Sequence, residues 1–531
     1  MTVLIEGAVG WPDEVAATYR ERGYWRGDTL GDLLRTWAER SGDDIAVVDG
    51  DERISYRDLD HRVDVRAAGL LDLGVTRDDR VVVQLPNTPE FVVLLFAMAR
   101  IGAVPVMALP AHRRSEITHL VELSGAVGYV IPAVYQGFDH RTLAAELGVE
   151  HVLVAGDPGP YTDLSTVVGE RRELPPVDPE SVAVLLISGG TTGRPKLIPR
   201  THDDYAYNAR ASAEVCGFTA ADRYLVALPI AHNFPLACPG LLGILGVGGT
   251  AVLAPAPSPD VAFSLIQQEK VTVTALVPPM ARMWVEATEW AEEDLSSLRL
   301  LQVGGAKMDP DLARAVPPAL GCAVQQVFGM AEGLLNYTRL GDAPDLVENT
   351  QGRPLSPDDE IRVVDPEGRD VALGAVGELL TRGPYTLRGY YRAEQYNATA
   401  FTPDGFYRSG DLVRQLPSGH LIVEGRIKDV INRGGEKVPA GELEDLLLAH
   451  PAVAQAAAIG LPDDTLGELV CAVVVVAGDR RPKLKELRAH LADLGLARFK
   501  QPDKLVVVDE LPLTAVGKIS KRDLVARLTD R

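Results

Sequence analysis

A chain of 531 residues is too long for one hydrophobic core and sets an expectation of about two to four domains. Its formal net charge of −21 would repel nucleic acid or anionic lipid over most of the surface, so no nucleic-acid or membrane partner is expected and a phosphate ligand must meet a local basic site. Cys216, Cys238, Cys322 and Cys471 are widely spaced with no C-x-x-C pair, which argues against a disulfide framework or a zinc site.

Residues 1–11 carry Glu6 and no basic segment ahead of an apolar run, so they do not read as a secretory signal, and the expected compartment is the cytoplasm. Strands are expected at 81–85, 182–187, 224–228, 250–253, 271–277 and 300–303, with helical patterns between several of them, as at 258–269. The apolar run 91–99 stops at Arg100, short of the ~20 residues that span a bilayer. Residues 224–259 lack Asp, Glu, Lys and Arg, but Pro229, Pro235, Pro239, Gly240, Gly243 and Gly246 interrupt them, which fits a buried strand, loop and helix. The fold class expected is α/β: a large N-terminal domain of several subdomains built on layered, largely parallel sheets. Around 425–435 the chain turns basic and glycine-rich. Beyond it a helix at 440–449, strands at 453–459 and 470–476, a helix at 483–494 and a strand at 504–508 form a small α+β unit. The expected division is 1–427 and 428–531, with a hinge at Lys428.

The run 182–187 ends in Ser188-Gly189-Gly190-Thr191-Thr192-Gly193-Arg194-Pro195-Lys196. Glycines let backbone N–H groups approach an anion, the hydroxyls add donors and Lys196 adds charge, so the stretch reads as a phosphate-gripping loop for a nucleoside triphosphate. It is not a Walker loop, because Arg194-Pro195 separates Gly193 from Lys196 and Leu197 follows the lysine. Lys307, Arg426, Lys428 and Lys518 are further candidates for the basic site.

The nine residues resemble the phosphate loop of the adenylate-forming superfamily, which includes acyl-CoA synthetases, luciferases and the adenylation domains of peptide synthetases. Gln302-Val303-Gly304-Gly305-Ala306-Lys307, Phe328-Gly329-Met330-Ala331-Glu332, Tyr407-Arg408-Ser409-Gly410-Asp411, Gly425-Arg426-Ile427-Lys428-Asp429 and Gly517-Lys518 follow in the family order. Residues 197–205 and Ala231-His232-Asn233-Phe234-Pro235 are similar to the free-standing aryl-acid ligases of siderophore assembly, and the resemblance covers essentially the whole chain.

The resemblance implies that a carboxylate attacks the α-phosphorus of ATP, expelling pyrophosphate and leaving an acyl-adenylate. An aryl carboxylic acid is already ionised at neutral pH, so alignment and charge neutralisation, rather than a general base, carry the chemistry. It further implies that Ser188, Gly189, Gly190, Thr191, Thr192, Gly193 and Lys196 hold the phosphates, that Gly305, Val327 and Ala331 line the nucleotide site, and that Glu332 carries Mg²⁺. Asp411 would accept hydrogen bonds from the ribose hydroxyls, Arg426 would approach the ribose and phosphates, and Lys518 would be the mobile catalytic lysine, with Lys428 at the hinge.

After adenylation, rotation would withdraw Lys518 and bring Gly434, Gly435 and Lys437 toward the pocket for a phosphopantetheine thiol, past a gate at His232. No phosphopantetheine-acceptor serine motif is evident, which implies a carrier protein on a separate chain. Asn233, Cys238 and Leu335 match the aryl pocket. In relatives that use 2,3-dihydroxybenzoate the last two positions are typically Ser and Val, so the resemblance points to salicylate. Alternatives are a 2,3-dihydroxybenzoate- or 6-methylsalicylate-AMP ligase, an aryl-CoA ligase, and a non-catalytic binding module on an inherited scaffold.

Overall fold

A computed structural model describes residues 4–188, 195–433, 436–463, 466–478, 480–494, 496, 498–514 and 517–529. Among them, two large sheets dominate. The first has nine strands in the spatial order Arg353–Pro354, Gly333–Tyr337, Ala323–Met330, Leu300–Gly304, Val273–Leu276, Arg223–Val226, Thr250–Leu253, Ile45–Asp49 and Glu52–Ser55. Its interior pairs are parallel and its edges antiparallel. The second, of seven strands, runs Leu197–Thr201, Val182–Ile187, Val104–Met107, Arg80–Val83, Gly128–Pro132, His151–Ala155 and Thr162–Asp163, parallel except where Val182–Ile187 meets Leu197–Thr201.

The apolar run at 91–99 is the middle of the helix Pro89–Ile101, which starts with proline at its first turn and ends on Gly102 in the left-handed conformation. It is buried along its whole length, in a core shared by Val83 and Val184 of one sheet and Val226 and Val273 of the other. Arg100 is buried with it because Asp60 and Asp64, from the helix Tyr56–Leu73, pair with its guanidinium. Among the described residues, no helix is long and apolar enough to cross a membrane.

The expectation of largely parallel sheets holds for these two layers and not for the next part of the chain. Residues 360–426 form a four-stranded antiparallel sheet from Glu360–Val364, Val376–Arg382, Tyr407–Gln415 and Leu421–Arg426. The connection between Val376–Arg382 and Tyr407–Gln415 carries the helix Glu394–Ala400, and the four strands mix buried with partly exposed positions, so no long apolar run marks them.

Beyond Arg426 the chain builds a separate sheet from Val430–Arg433, Glu436–Pro439, Val453–Asp463, Gly467–Val476 and Lys504–Val508. The helices Ala440–Leu448 and Leu484–Asp493 pack on one face and Lys521–Thr529 on the other. The hairpin 430–439 was not among the expected strands, since its hydrophobic pattern is broken by Asn432, Arg433 and Glu436. Lys307, in the loop after Leu300–Gly304, pairs with Asp445 on the helix Ala440–Leu448 at 2.8 Å.

Candidate active site

Parallel sheets place ligands beyond the carboxyl ends of their strands. Ser188 follows Val182–Ile187 directly, Gly305 follows Leu300–Gly304, Glu332 comes two residues after Ala323–Met330, and the loop leaving Arg223–Val226 carries His232. These ends converge on a cavity of about 480 Å³. Its wall also includes Asn233, Cys238, Val327, Ala331, Leu335, Arg426, Lys428, Lys196 and Lys518. Asp411 is not part of that wall. It lies buried behind Arg426, whose Nε donates to Asp411 Oδ1 at 2.6 Å.

Gly189, Gly190, Thr191, Thr192, Gly193, Gly434 and Gly435 lie outside the described residues, as does the Lys437 side chain. The two ends of the phosphate-loop candidate are described and closed on each other: Ser188 N–H donates to Lys196 O at 2.9 Å, and Lys196 N–H donates to Ser188 Oγ at 3.0 Å. Lys307, expected among the phosphate cations, is instead committed to Asp445 and is absent from the cavity wall.

Three aromatic residues to which the sequence assigned no role, Tyr390, Tyr396 and Tyr407, line the same cavity. Tyr390 donates its hydroxyl to Glu332 Oε1 at 2.8 Å and lies 2.8 Å from the Tyr407 hydroxyl. Burial, then the nearby Glu332 carboxylate, pushes the Tyr390 phenol well above its ordinary pKa, so it remains a donor. Lys196 Nζ sits 3.8 Å from the centroid of the Tyr396 ring, a cation–π contact that holds the ammonium at the cavity rim. Tyr407 opens a motif already noted and Tyr390 lies 17 residues before it, but nothing in their spacing shows that they converge on Glu332.

Lys518 is half-buried, with Cε close to Gly305, where an added Cβ would stand 3.5 Å from it. Burial, then repulsion by Arg426, lowers its pKa to about 8. Its backbone N–H donates to Thr514 Oγ1 at 3.1 Å. His232 caps the short helix Asn233–Ala237 by accepting the Phe234 N–H at its Nδ1. Burial and the Lys518 charge lower the His232 pKa to about 4, so the ring is neutral at physiological pH.

The wall also includes Asn233, Phe234, Cys238 and Leu335. Phe234 was also missed, although it stands beside Asn233 in the chain. Its ring lies over Gly304, where a Cβ would come within 3.0 Å of Phe234 Cε1. Leu335 pairs with Gly329 across the strands, and a Cβ on Gly329 would collide with Leu335 Cδ2. Two glycines thus let Phe234 and Leu335 pack directly against the backbone at the cavity wall.

Residues 34–391 match the AMP-binding enzyme family, and residues 442–518 match the AMP-binding enzyme C-terminal domain. The chain belongs to the AMP-binding enzyme family. This adenylate-forming ligase is 52% identical over 533 residues to a 2,3-dihydroxybenzoate-AMP ligase of Bacillus subtilis, with 99% of each chain covered. It is 54% identical over 535 residues to a Mycobacterium tuberculosis protein described as salicyl-AMP ligase / salicyl-S-ArCP synthetase, covering 98% of this chain and 94% of the other. Among solved structures, apo MbtA of Mycobacterium smegmatis matches the AMP-binding enzyme with a TM-score of 0.78 at 54% identity, over 99% of this chain and 100% of that one.

Proposed function

We propose that this enzyme joins salicylate to ATP, giving salicyl-AMP and pyrophosphate, and then passes the salicyl group to the phosphopantetheine thiol of a separate aryl carrier protein in siderophore-type nonribosomal peptide synthesis. The observation that carries this reading is one cavity whose wall joins Lys518 and Arg426 with Asn233, Cys238 and Leu335. Overall identity does not choose the acid, since the two relatives named for different substrates are 52% and 54% identical. Cys238 and Leu335 in the pocket wall support salicylate.

In the first step the salicylate carboxylate attacks the α-phosphorus while the bond to pyrophosphate breaks. The Lys518 ammonium bridges the incoming carboxylate and the α-phosphate oxygens, and Lys196 with the loop it ends holds the outer phosphates. Arg426, swung from Asp411, would follow the ribose and phosphate side and leave the Asp411 carboxylate to the ribose hydroxyls.

Glu332 suits a magnesium ion carried in by the nucleotide. Its Oε1 is oriented by Tyr390, and among the described residues no group of three or more His, Cys, Asp or Glu side chains could hold a metal alone. Magnesium ordinarily takes one or two carboxylates plus substrate phosphates, which this donor set matches. When bound it would neutralise charge on the departing pyrophosphate. In the second step the carrier thiolate attacks the acyl carbon and AMP leaves, with the His232 side governing entry and Lys428 as the pivot.

ATP–pyrophosphate exchange with benzoate, salicylate, 2,3-dihydroxybenzoate and 6-methylsalicylate tests the first step, with salicylate expected to give the highest kcat/KM. Thioester analysis with a phosphopantetheinylated aryl carrier protein and with free CoA tests the second. Faster transfer to CoA would make the protein an aryl-CoA ligase, and exchange with no aryl acid would remove the reading.

A further inference from the structure

The Asn233 amide has one buried partner outside the cavity wall and a second, Cys238, within it. Tyr205, fully buried on the helix His202–Val215, donates its hydroxyl to Asn233 Oδ1 at 2.8 Å. Asn233 Nδ2 lies 3.3 Å from Cys238 Sγ. A primary amide has an acceptor side and a donor side. With Oδ1 committed to the phenol, the side turned toward the ligand and the thiol is the NH₂. Burial pushes the Cys238 thiol up to about 12, so the sulfur stays protonated and serves as a weak acceptor.

The strut is itself rigid. The Tyr205 ring packs under the Arg200 guanidinium, 4.8 Å from its centroid, and Arg200 is held by Asp204 at 2.7 Å and by the Ala331 carbonyl at 3.2 Å. Thr201 and Asp204 form a capping box that fixes the start of the helix. Three residues after Tyr205, on the same face, Asn208 donates to Ala237 O at 2.6 Å and so ties down the end of the Asn233–Ala237 helix.

We infer that Tyr205 is a positioning residue that makes Asn233 a donor-only group and thereby selects ortho-hydroxybenzoates over ortho-aminobenzoates. The inference rests on the aryl-acid reading above. A phenolic oxygen offers lone pairs to the Asn233 N–H. The nitrogen of an ortho-amino group has its lone pair delocalised into the ring and presents N–H bonds instead, so donor would face donor in a buried site. Removing the Tyr205 hydroxyl frees Oδ1, allowing the amide to turn over and accept from the amino group.

The experiment measures pyrophosphate exchange with salicylate, 2-fluorobenzoate and 2-aminobenzoate. The wild-type enzyme should use 2-aminobenzoate roughly 10- to 100-fold less well than salicylate in kcat/KM, mostly through KM, as expected for an unpaired buried donor. It should also rank 2-fluorobenzoate, whose ortho atom only accepts, above 2-aminobenzoate. In Tyr205→Phe the preference for salicylate over 2-aminobenzoate should shrink to a few-fold while KM for ATP is unchanged. Equal loss with both acids, or a wild-type enzyme that uses 2-aminobenzoate as well as salicylate, overturns the inference and leaves the ligase reading intact. The wild-type ranking needs no variant, so it decides the matter even if Tyr205→Phe does not fold. Exchange with none of the three acids overturns the aryl-acid reading and this inference with it.

Discussion

Lys307 Nζ lies 2.8 Å from Asp445 Oδ2, joining the loop after the core strand Leu300–Gly304 to the helix Ala440–Leu448 of the C-terminal sheet unit. The contact coexists with Lys518 in the cavity, so it belongs to the orientation that would make the adenylate. The two side chains are 29% and 52% exposed, and an ion pair that open to water contributes about 0.2–1 kcal/mol. Asp445→Lys should therefore lower pyrophosphate exchange only about two- to five-fold, with Lys307→Glu in the same chain restoring part of the loss. Transfer from supplied salicyl-AMP should not fall. Loss of both half-reactions to the same degree would show that the pair supports folding rather than orientation.

Lys518 should set the alkaline limb of adenylation. Burial and Arg426 favour its neutral form, so the pKa falls from the usual 10.5 to about 8, and the ammonium predominates only below that pH. In the free enzyme, kcat/KM for exchange should decline as pH rises through about 8. Lys518→Arg should lose this limb while keeping some activity, and Lys518→Ala should lower exchange by roughly 10²- to 10³-fold. Transfer from preformed salicyl-AMP should survive in both. An alkaline limb that persists in Lys518→Arg would assign the titration to another group.

The Tyr390–Glu332 contact makes magnesium dependence separable from acid binding. Tyr390→Phe removes the hydroxyl that orients the carboxylate and should raise the magnesium concentration for half-maximal exchange by roughly 10-fold. Glu332→Gln should raise it further. Neither change should move KM for salicylate by more than about two-fold, since neither Tyr390 nor Glu332 hydrogen-bonds to Asn233 or Cys238. Unchanged magnesium dependence in Glu332→Gln would remove it as the metal carboxylate.

What could be read from the sequence is what short-range pattern encodes. The apolar, β-branched run Val182–Ile187 and the Thr250–Leu253 strand fall where expected, and the 440–449 helix differs from Ala440–Leu448 by one residue. Arg100 marks the limit of that approach. It looks like the polar end of an apolar run, yet it is buried because carboxylates from Asp60 and Asp64 reach it from another helix. Lys307 and Asp411 show the same limit inside motifs, since one side chain is claimed by Asp445 and the other by Arg426. Tyr205, Tyr390 and Tyr396 matter only through what lies opposite them in space, and no spacing along the chain announces that.

The last prediction concerns the 3-position of the aryl ring. In the proposed pocket Leu335 would face that position, and it has little freedom to retreat. Its side chain is packed on Gly329, and its backbone N–H donates to the Tyr385 hydroxyl at 3.0 Å. Tyr385 is anchored in turn by donating to Asp359 Oδ2 at 2.6 Å. Cys238 supplies a weakly hydrogen-bonding thiol, and Asn233 Nδ2 already points at it. A 3-hydroxyl would therefore be buried against leucine methyl groups without a good partner, at a cost of about 1–3 kcal/mol, or roughly 10- to 100-fold in kcat/KM against 2,3-dihydroxybenzoate. Cys238→Ser with Leu335→Val should narrow that gap by supplying a hydroxyl partner and space together. Either change alone should do less, because a hydroxyl without room, or room without a partner, corrects only half of the mismatch. The measurement is pyrophosphate exchange with both acids in the four proteins. An unmodified enzyme that prefers 2,3-dihydroxybenzoate would refute this reading of the pocket while leaving adenylation of aryl acids untouched.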